Sequence, residues 1–122
     1  MSKTEKRKIG DQGEDEAAKY LVEKGYKIIE RNYSCRFGEI DIIAQKNEDL
    51  VFIEVKTRKN NYFGEPQEAV DYRKLDRINM TMDYFISNFK VDDKYNIRID
   101  VIEIINDGCG ESKINHIEDF NN

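Results

Sequence analysis

Gly38-Glu39-Ile40-Asp41-Ile42-Ile43-Ala44 and Val51-Phe52-Ile53-Glu54-Val55-Lys56 are the two runs whose reading decides the fold. Both are apolar and rich in β-branched residues, so each reads as a strand with at least one buried face. Each also carries charge inside that apolar setting, and a desolvated carboxylate needs a partner or a metal to offset its burial. Residues two apart return to one face of a strand at roughly 7 Å, so Glu54 and Lys56 project together beside Phe52. The intervening Gln45-Lys46-Asn47-Glu48-Asp49 is short and polar, as a hairpin loop is. Antiparallel pairing is therefore expected, with Asp41 brought next to Glu54. Two carboxylates and one ammonium so gathered can hold a hard cation and activate a water. Charges alternating along a strand also mark an ordinary solvated sheet face. Spacing alone leaves both readings open.

Outward from this pair, residues 11–24 form an amphipathic helix with Ala17, Ala18, Leu21 and Val22 as its apolar stripe and Gly25 as its stop. Glu14 lies three and four residues before Ala17 and Ala18, which puts it on or beside the inward stripe. Tyr26 to Tyr33 reads as a strand. Arg58 to Pro66 is a polar loop, in which Tyr62 and Phe63 could stack on a base or Phe63 could cap the core. A long helix then runs to about Phe89, with Leu75, Ile78, Met82, Phe85, Ile86 and Phe89 at helical spacing. Tyr95 to Ile105 is a strand with alternating Ile97, Ile99 and Val101. Asp107-Gly108-Cys109-Gly110 is a turn, and Ser112 to Ile117 is a final edge strand. The order α-β-β-β-α-β-β predicts an α/β fold, a three-layer α/β/α sandwich around a central mixed sheet.

A chain of 122 residues is expected to make one domain, with residues 1–10 flexible. No stretch approaches the ~20 apolar residues of a membrane span, and the basic Met1–Lys8 segment is not followed by a hydrophobic one. A cytoplasmic location with no membrane partner is the expectation, and Cys35 and Cys109 are read as reduced thiols. The net charge of −5 comes entirely from residues 91–122, which hold eight acidic and three basic residues. Residues 1–90 carry seventeen charges of each sign, with basic clusters at Lys3–Lys8, at Lys56, Arg58 and Lys59, and at Arg73, Lys74 and Arg77. This balance argues against a high-affinity, non-specific DNA coat protein and neither proves nor forbids a phosphate-backbone partner along one surface.

With Asp41, Glu54 and Lys56 in that topology, the chain resembles the PD-(D/E)XK nuclease superfamily, whose fold is restriction-endonuclease-like. More closely, it resembles the YraN-like family, small bacterial proteins similar to archaeal Holliday-junction resolvases. The segments that carry this are Gly13-Glu14 with Ala17, Tyr20-Leu21 and Gly25, then Arg31-Asn32-Tyr33, and the two motif runs extended to Thr57-Arg58. Phe63-Gly64, Arg98-Ile99-Asp100-Val101 and His116-Ile117 complete them. The superfamily resemblance implies Mg²⁺-dependent phosphodiester hydrolysis, with Mn²⁺ as a substitute; the YraN-like family implies no established reaction. Carried over by position, Asp41 and Glu54 are metal ligands, Lys56 serves the water or the phosphate, and Glu14 is the first-helix acid of the resolvases. Ile40 stands where the superfamily has proline.

These residue types suit that chemistry. Mg²⁺ takes oxygen ligands at ~2.1 Å and keeps several waters, so two or three carboxylates suffice beside a substrate phosphate. Arg58, Lys59, Lys74 and Arg77 are the candidate nucleic-acid contacts. His116, the single histidine, is expected to make a structural hydrogen bond, and Asp100 and Glu103 are expected to be solvated. Two functions follow. One is a metal-dependent DNA endonuclease acting on branched or structured DNA as a homodimer; the other is a non-catalytic nucleic-acid-binding or recruitment module on the same fold. A third reading makes the cluster an internal salt bridge, which is a poor source of stability.

Overall fold

In the computed structural model, residues 3–58, 72–106, 110 and 112–120 are described, with side chains from Gln12 onward. Helix α1 (Lys3–Glu23) leads into strands β1 (Lys27–Cys35), β2 (Gly38–Lys46) and β3 (Asp49–Arg58). Helix α2 (Tyr72–Asn88) follows, then β4 (Asn96–Asn106) and β5 (Ser112–Ile117). The order is the expected one. Helix α1 starts well ahead of residue 11, at Lys3, and runs through Gly10 without a break. Lys59, Tyr62, Phe63, the rest of that loop, and Asp107 to Cys109 lie outside the described residues, as do the Lys3–Lys8 side chains.

The five strands form one sheet in the order β1-β2-β3-β4-β5. Antiparallel pairing joins β1 to β2 and β2 to β3, parallel pairing joins β3 to β4, and β5 returns antiparallel at the edge. The hairpin loop closes between Lys46 and Asp49, with Asn47 in the left-handed region at φ 54°. Asparagine tolerates that conformation, which two-residue hairpin turns require. On one face, Ala17 and Leu21 of α1 pack with Ile42, Ala44, Val51, Ile53, Ile102 and Ile104. On the other, Phe85 of α2 packs with Ile40, Ile43 and Phe52, and Ile78 with Ile99 and Val101. The result is a three-layer α/β/α sandwich with a mixed sheet.

Three sequence expectations are corrected. Val22 is 57% exposed, because the inward stripe of α1 is Glu14, Ala17, Ala18 and Leu21, and Val22 sits one step off it. Phe89 is 58% exposed just past the end of α2. Most consequentially, Asp100 is 0% and Glu103 2% exposed. Strand β4 lies between β3 and β5 and is buried on both faces from Ile99 to Ile105, so alternation there does not separate water from core.

The chain manages both buried acids. Asp100 accepts from Arg98 Nε and Nη2 at 2.8 and 2.9 Å, pairs with His116 Nε2 at 2.6 Å, and accepts the Asp119 amide at 3.0 Å. His116 Nδ1 meets the Tyr20 hydroxyl at 3.0 Å, tying β5 to α1. His116 therefore has the structural role expected of it. Glu103 lies 2.8 Å from Arg58 Nε, close enough for an ion pair though not aligned as a hydrogen bond.

Candidate functional site

The site originates where β2 and β3 part. Their ladder runs from Lys46↔Asp49 to Ile42↔Ile53. One residue further, Asp41 Oδ2 accepts the Val55 amide at 2.8 Å, so a side-chain carboxylate takes the place of a strand carbonyl. Beyond it β2 changes allegiance: Ile42 packs toward α1, whereas Ile40 joins the Phe52–Phe85 cluster under α2. In β1 the same switch falls between Arg31 and Tyr33, at Asn32, whose φ is 55°.

The split leaves a cavity of about 300 Å³ lined by Gly38, Glu39, Asp41, Glu54, Lys74, Arg77 and Ile78. Asp41 and Glu54 thus share one concave site, as their strand positions predicted. Lys56 projects beside Glu54, with Nζ 3.5 Å from Glu54 Oε1. Gly38 makes the closure under α2 possible. Its φ is 154°, and an added Cβ would sit 3.1 Å from the Thr81 hydroxyl and 3.5 Å from Arg77 Cβ.

Helix α2 contributes what the sequence reading missed. Lys74 is among the candidate nucleic-acid contacts, which an outward side chain would serve. It turns inward instead, with Nζ 2.6 Å from Glu54 Oε1. Residues 74, 78, 81 and 85 follow the i, i+4, i+7, i+11 stripe, of which Ile78, Thr81 and Phe85 are buried. That periodicity is in the sequence, but it does not give the pairing of Lys74 with Glu54.

Glu14 is buried and inward, as expected, but it does not line the cavity. Its Oε1 accepts from Arg31 Nε and Asn32 Nδ2, both at 3.0 Å. Among the described residues, no three acidic, histidine or cysteine side chains converge as a metal-ligand group. Of the four candidate nucleic-acid contacts, Arg77 lines the cavity and Lys74 is inside it. Arg58 is engaged by buried Glu103, and Lys59 lies outside the described residues.

The electrostatics follow from burial and crowding. Burial pushes the Asp41 carboxyl up to about 7, helped by the neighbouring Glu54 charge and opposed by the Val55 N–H; Glu14 and Glu39 add to the rise. Burial likewise lowers the Lys56 pKa, and adjacent Lys74 lowers it further, against the pull of Glu54. For Lys74, burial works the other way but bonding to Glu54 outweighs it, so its pKa is raised. A buried carboxyl that keeps a proton near neutrality, through desolvation first and the Glu54 charge second, gains a counter-charge from a cation. Two oxygen-bearing side chains on one wall match the donor set of a hard divalent ion that retains its waters.

Comparison with known proteins agrees on one family. The model described as "Uncharacterised protein family UPF0102" matches residues 13–104. The chain belongs to this family. It is 45% identical over 114 residues to a UPF0102 protein of Caldicellulosiruptor bescii, covering 93% of this chain and 96% of that one. It is 50% identical over 101 residues to a UPF0102 protein of Fusobacterium nucleatum, covering 83% and 84%. A UPF0102 protein of Caldanaerobacter subterraneus is 46% identical over 121 residues, covering 96% and 97%. The UPF0102 match begins at Gly13, beside Glu14, and so spans Asp41, Glu54, Lys56 and Lys74. Among the described residues, no helix is long and apolar enough to cross a membrane.

Proposed function

We propose that the chain is a divalent-metal-dependent DNA endonuclease that acts on branched or structured DNA. The observation that carries this reading is the junction of Asp41 and Glu54 across the split between β2 and β3, with two lysines against Glu54. Asp41 and Glu54 are the residues that would hold Mg²⁺ or Mn²⁺, with Glu14 adjoining from α1. Bound there, the ion supplies charge neutralisation and a more acidic water.

The chain's own groups do the rest. Lys56 and Lys74 present ammonium charge to a phosphate oxygen or to the attacking water, where preorganised charge counts most. The lowered pKa of Lys56 eases a proton transfer at its Nζ. Arg77 borders the cavity and can orient the backbone on entry. Two copies acting together would provide the paired cuts that a four-way junction requires.

The test is cleavage of flap, fork, four-way-junction and linear DNA in a Mg²⁺ and Mn²⁺ titration, with Glu54→Gln as control. Metal-dependent cutting that the control lacks supports the reading. DNA binding by wild type without cutting of any substrate leaves the non-catalytic binding module instead.

A further inference from the structure

Beside the carboxylate cavity, α2 carries an apolar surface on the side that faces water. Phe37, Met80, Asp83, Tyr84 and Ser87 line a shallow groove of about 290 Å³. Met80 is 46% and Tyr84 36% exposed, one turn apart on the helix. Phe37, in the turn between β1 and β2, meets Tyr84 edge-on with ring centroids 5.8 Å apart. The Arg36 guanidinium lies 4.8 Å from the Phe37 centroid. Exposed apolar surface grouped in this way marks a binding site more often than scattered single residues do.

Its neighbours indicate the occupant. Gly38 follows Phe37 and lines the cavity, so the two depressions share the β1–β2 turn as a wall. Arg77 borders the cavity seven residues before Tyr84, roughly 10 Å along the helix axis. A strand whose phosphate lies at Arg77 therefore passes the groove within a few nucleotides. Asp83 on the groove wall repels phosphate but accepts from an exocyclic amino group. Aromatic faces with an adjacent guanidinium stack on bases of any identity. Within a duplex those base faces are covered, so only an unpaired base can use them.

We propose that this groove seats one unpaired nucleobase of the DNA strand held at the carboxylate cavity, stacked on Tyr84 and flanked by Phe37. This rests on the nuclease reading and narrows its substrate class to DNA with unpaired bases near the scissile phosphate, such as flaps and opened junctions.

The experiment uses oligonucleotides with 2-aminopurine in a single-stranded overhang, bound to the full chain in chelator so that no cutting occurs. Wild type should quench the fluorescence and bind the overhang substrate more tightly than blunt duplex. Tyr84→Ala should lose the quenching and about ten-fold in affinity, or about 1.4 kcal/mol. Tyr84→Phe should keep both, and circular dichroism of each variant checks the fold. Unchanged quenching in Tyr84→Ala overturns the subsite while leaving metal-dependent cleavage to stand on its own assay. Failure of wild type to bind any oligonucleotide overturns both. A wild-type dimer that Tyr84→Ala converts to monomer, with DNA affinity unchanged, would make the groove a self-interface and also overturn the subsite.

Discussion

Lys74 of α2 reaches closer to Glu54 than Lys56 of the motif strand does, at 2.6 Å against 3.5 Å. Glu54 therefore holds two ammonium groups that would otherwise repel each other. Neutralising it should destabilise the fold. Glu54→Gln is expected to cost about 1–2 kcal/mol at pH 7, below the usual figure for a broken buried pair because both lysines are partly solvated. Adding Lys74→Gln should restore part of that loss. Thermal melts of the single and double variants check this, and an unchanged Tm in Glu54→Gln would remove Glu54 from its role as the hub.

Gly38 sets the gap between the β1–β2 turn and α2. Its φ of 154° suits glycine, and a Cβ there meets buried Thr81, whose hydroxyl already donates to the Arg77 carbonyl. Gly38→Ala should cost about 1–3 kcal/mol through backbone strain and displacement of α2. Metal-dependent cleavage should fall more steeply than stability, since Lys74 and Arg77 move with the helix. Full activity together with wild-type melting would show that the turn tolerates the added atom.

The layers and the carboxylate pair were legible because strand alternation, helical periodicity and a short polar turn are local properties. Asp41 beside Glu54 followed from two strands and the hairpin between them. Burial of Asp100 and Glu103 did not follow, because it depends on β4 having a neighbour on each side, β3 brought by a crossover and β5 by the chain's return. Nor does alternation foresee Asp41 taking over a strand hydrogen bond, which throws Ile40 to the opposite face from Ile42. The pairing of Lys74 with Glu54 is a different case. The lysine's place on the inward stripe was readable, but a charge at that position makes sense only once Glu54 is known to lie beneath it.

The Arg98–Asp100–His116 network lies on the α1 side of the sheet and should govern acid stability. Burial raises the Asp100 pKa, but bonds from His116, Arg98 and the Asp119 amide outweigh it, so the net shift is downward. A carboxyl with a depressed folded pKa adds stability that is present above its unfolded value and lost as pH falls through the folded one. Wild type should therefore weaken below about pH 4. Asp100→Asn should lose about 2–4 kcal/mol at neutral pH, because Arg98 keeps only the more exposed Asp49 as a charge partner, at 3.2 Å, and should show a flatter acid limb. Denaturant melts from pH 3 to 7 check both. Equal slopes in the two proteins would assign the acid limb to other groups.

Asp41 has the opposite sign and separates catalyst from scaffold. Its folded pKa, raised to about 7, means the native state holds a proton more tightly than the unfolded chain, in which the value is about 3.9. The linked stability is present below the unfolded value and lost as pH rises through 7. In Asp41→Asn the side-chain oxygen can still accept the Val55 amide, while the repulsion with Glu54 disappears. In chelator at pH 8 the variant should melt level with wild type or above it, and that advantage should vanish as pH falls toward 4. Mg²⁺ should raise the wild-type Tm by mass action on the folded state and leave the variant unmoved. Cleavage should disappear in Asp41→Asn while DNA affinity stays within a few-fold, because the proposed phosphate contacts, Lys74 and Arg77, are other side chains. A buried salt bridge predicts the reverse stability pattern, a loss of several kcal/mol on neutralising one acid. Marked destabilisation of Asp41→Asn in chelator, with no Mg²⁺ response from wild type, would make the cluster architecture, and the nuclease reading would fall with it.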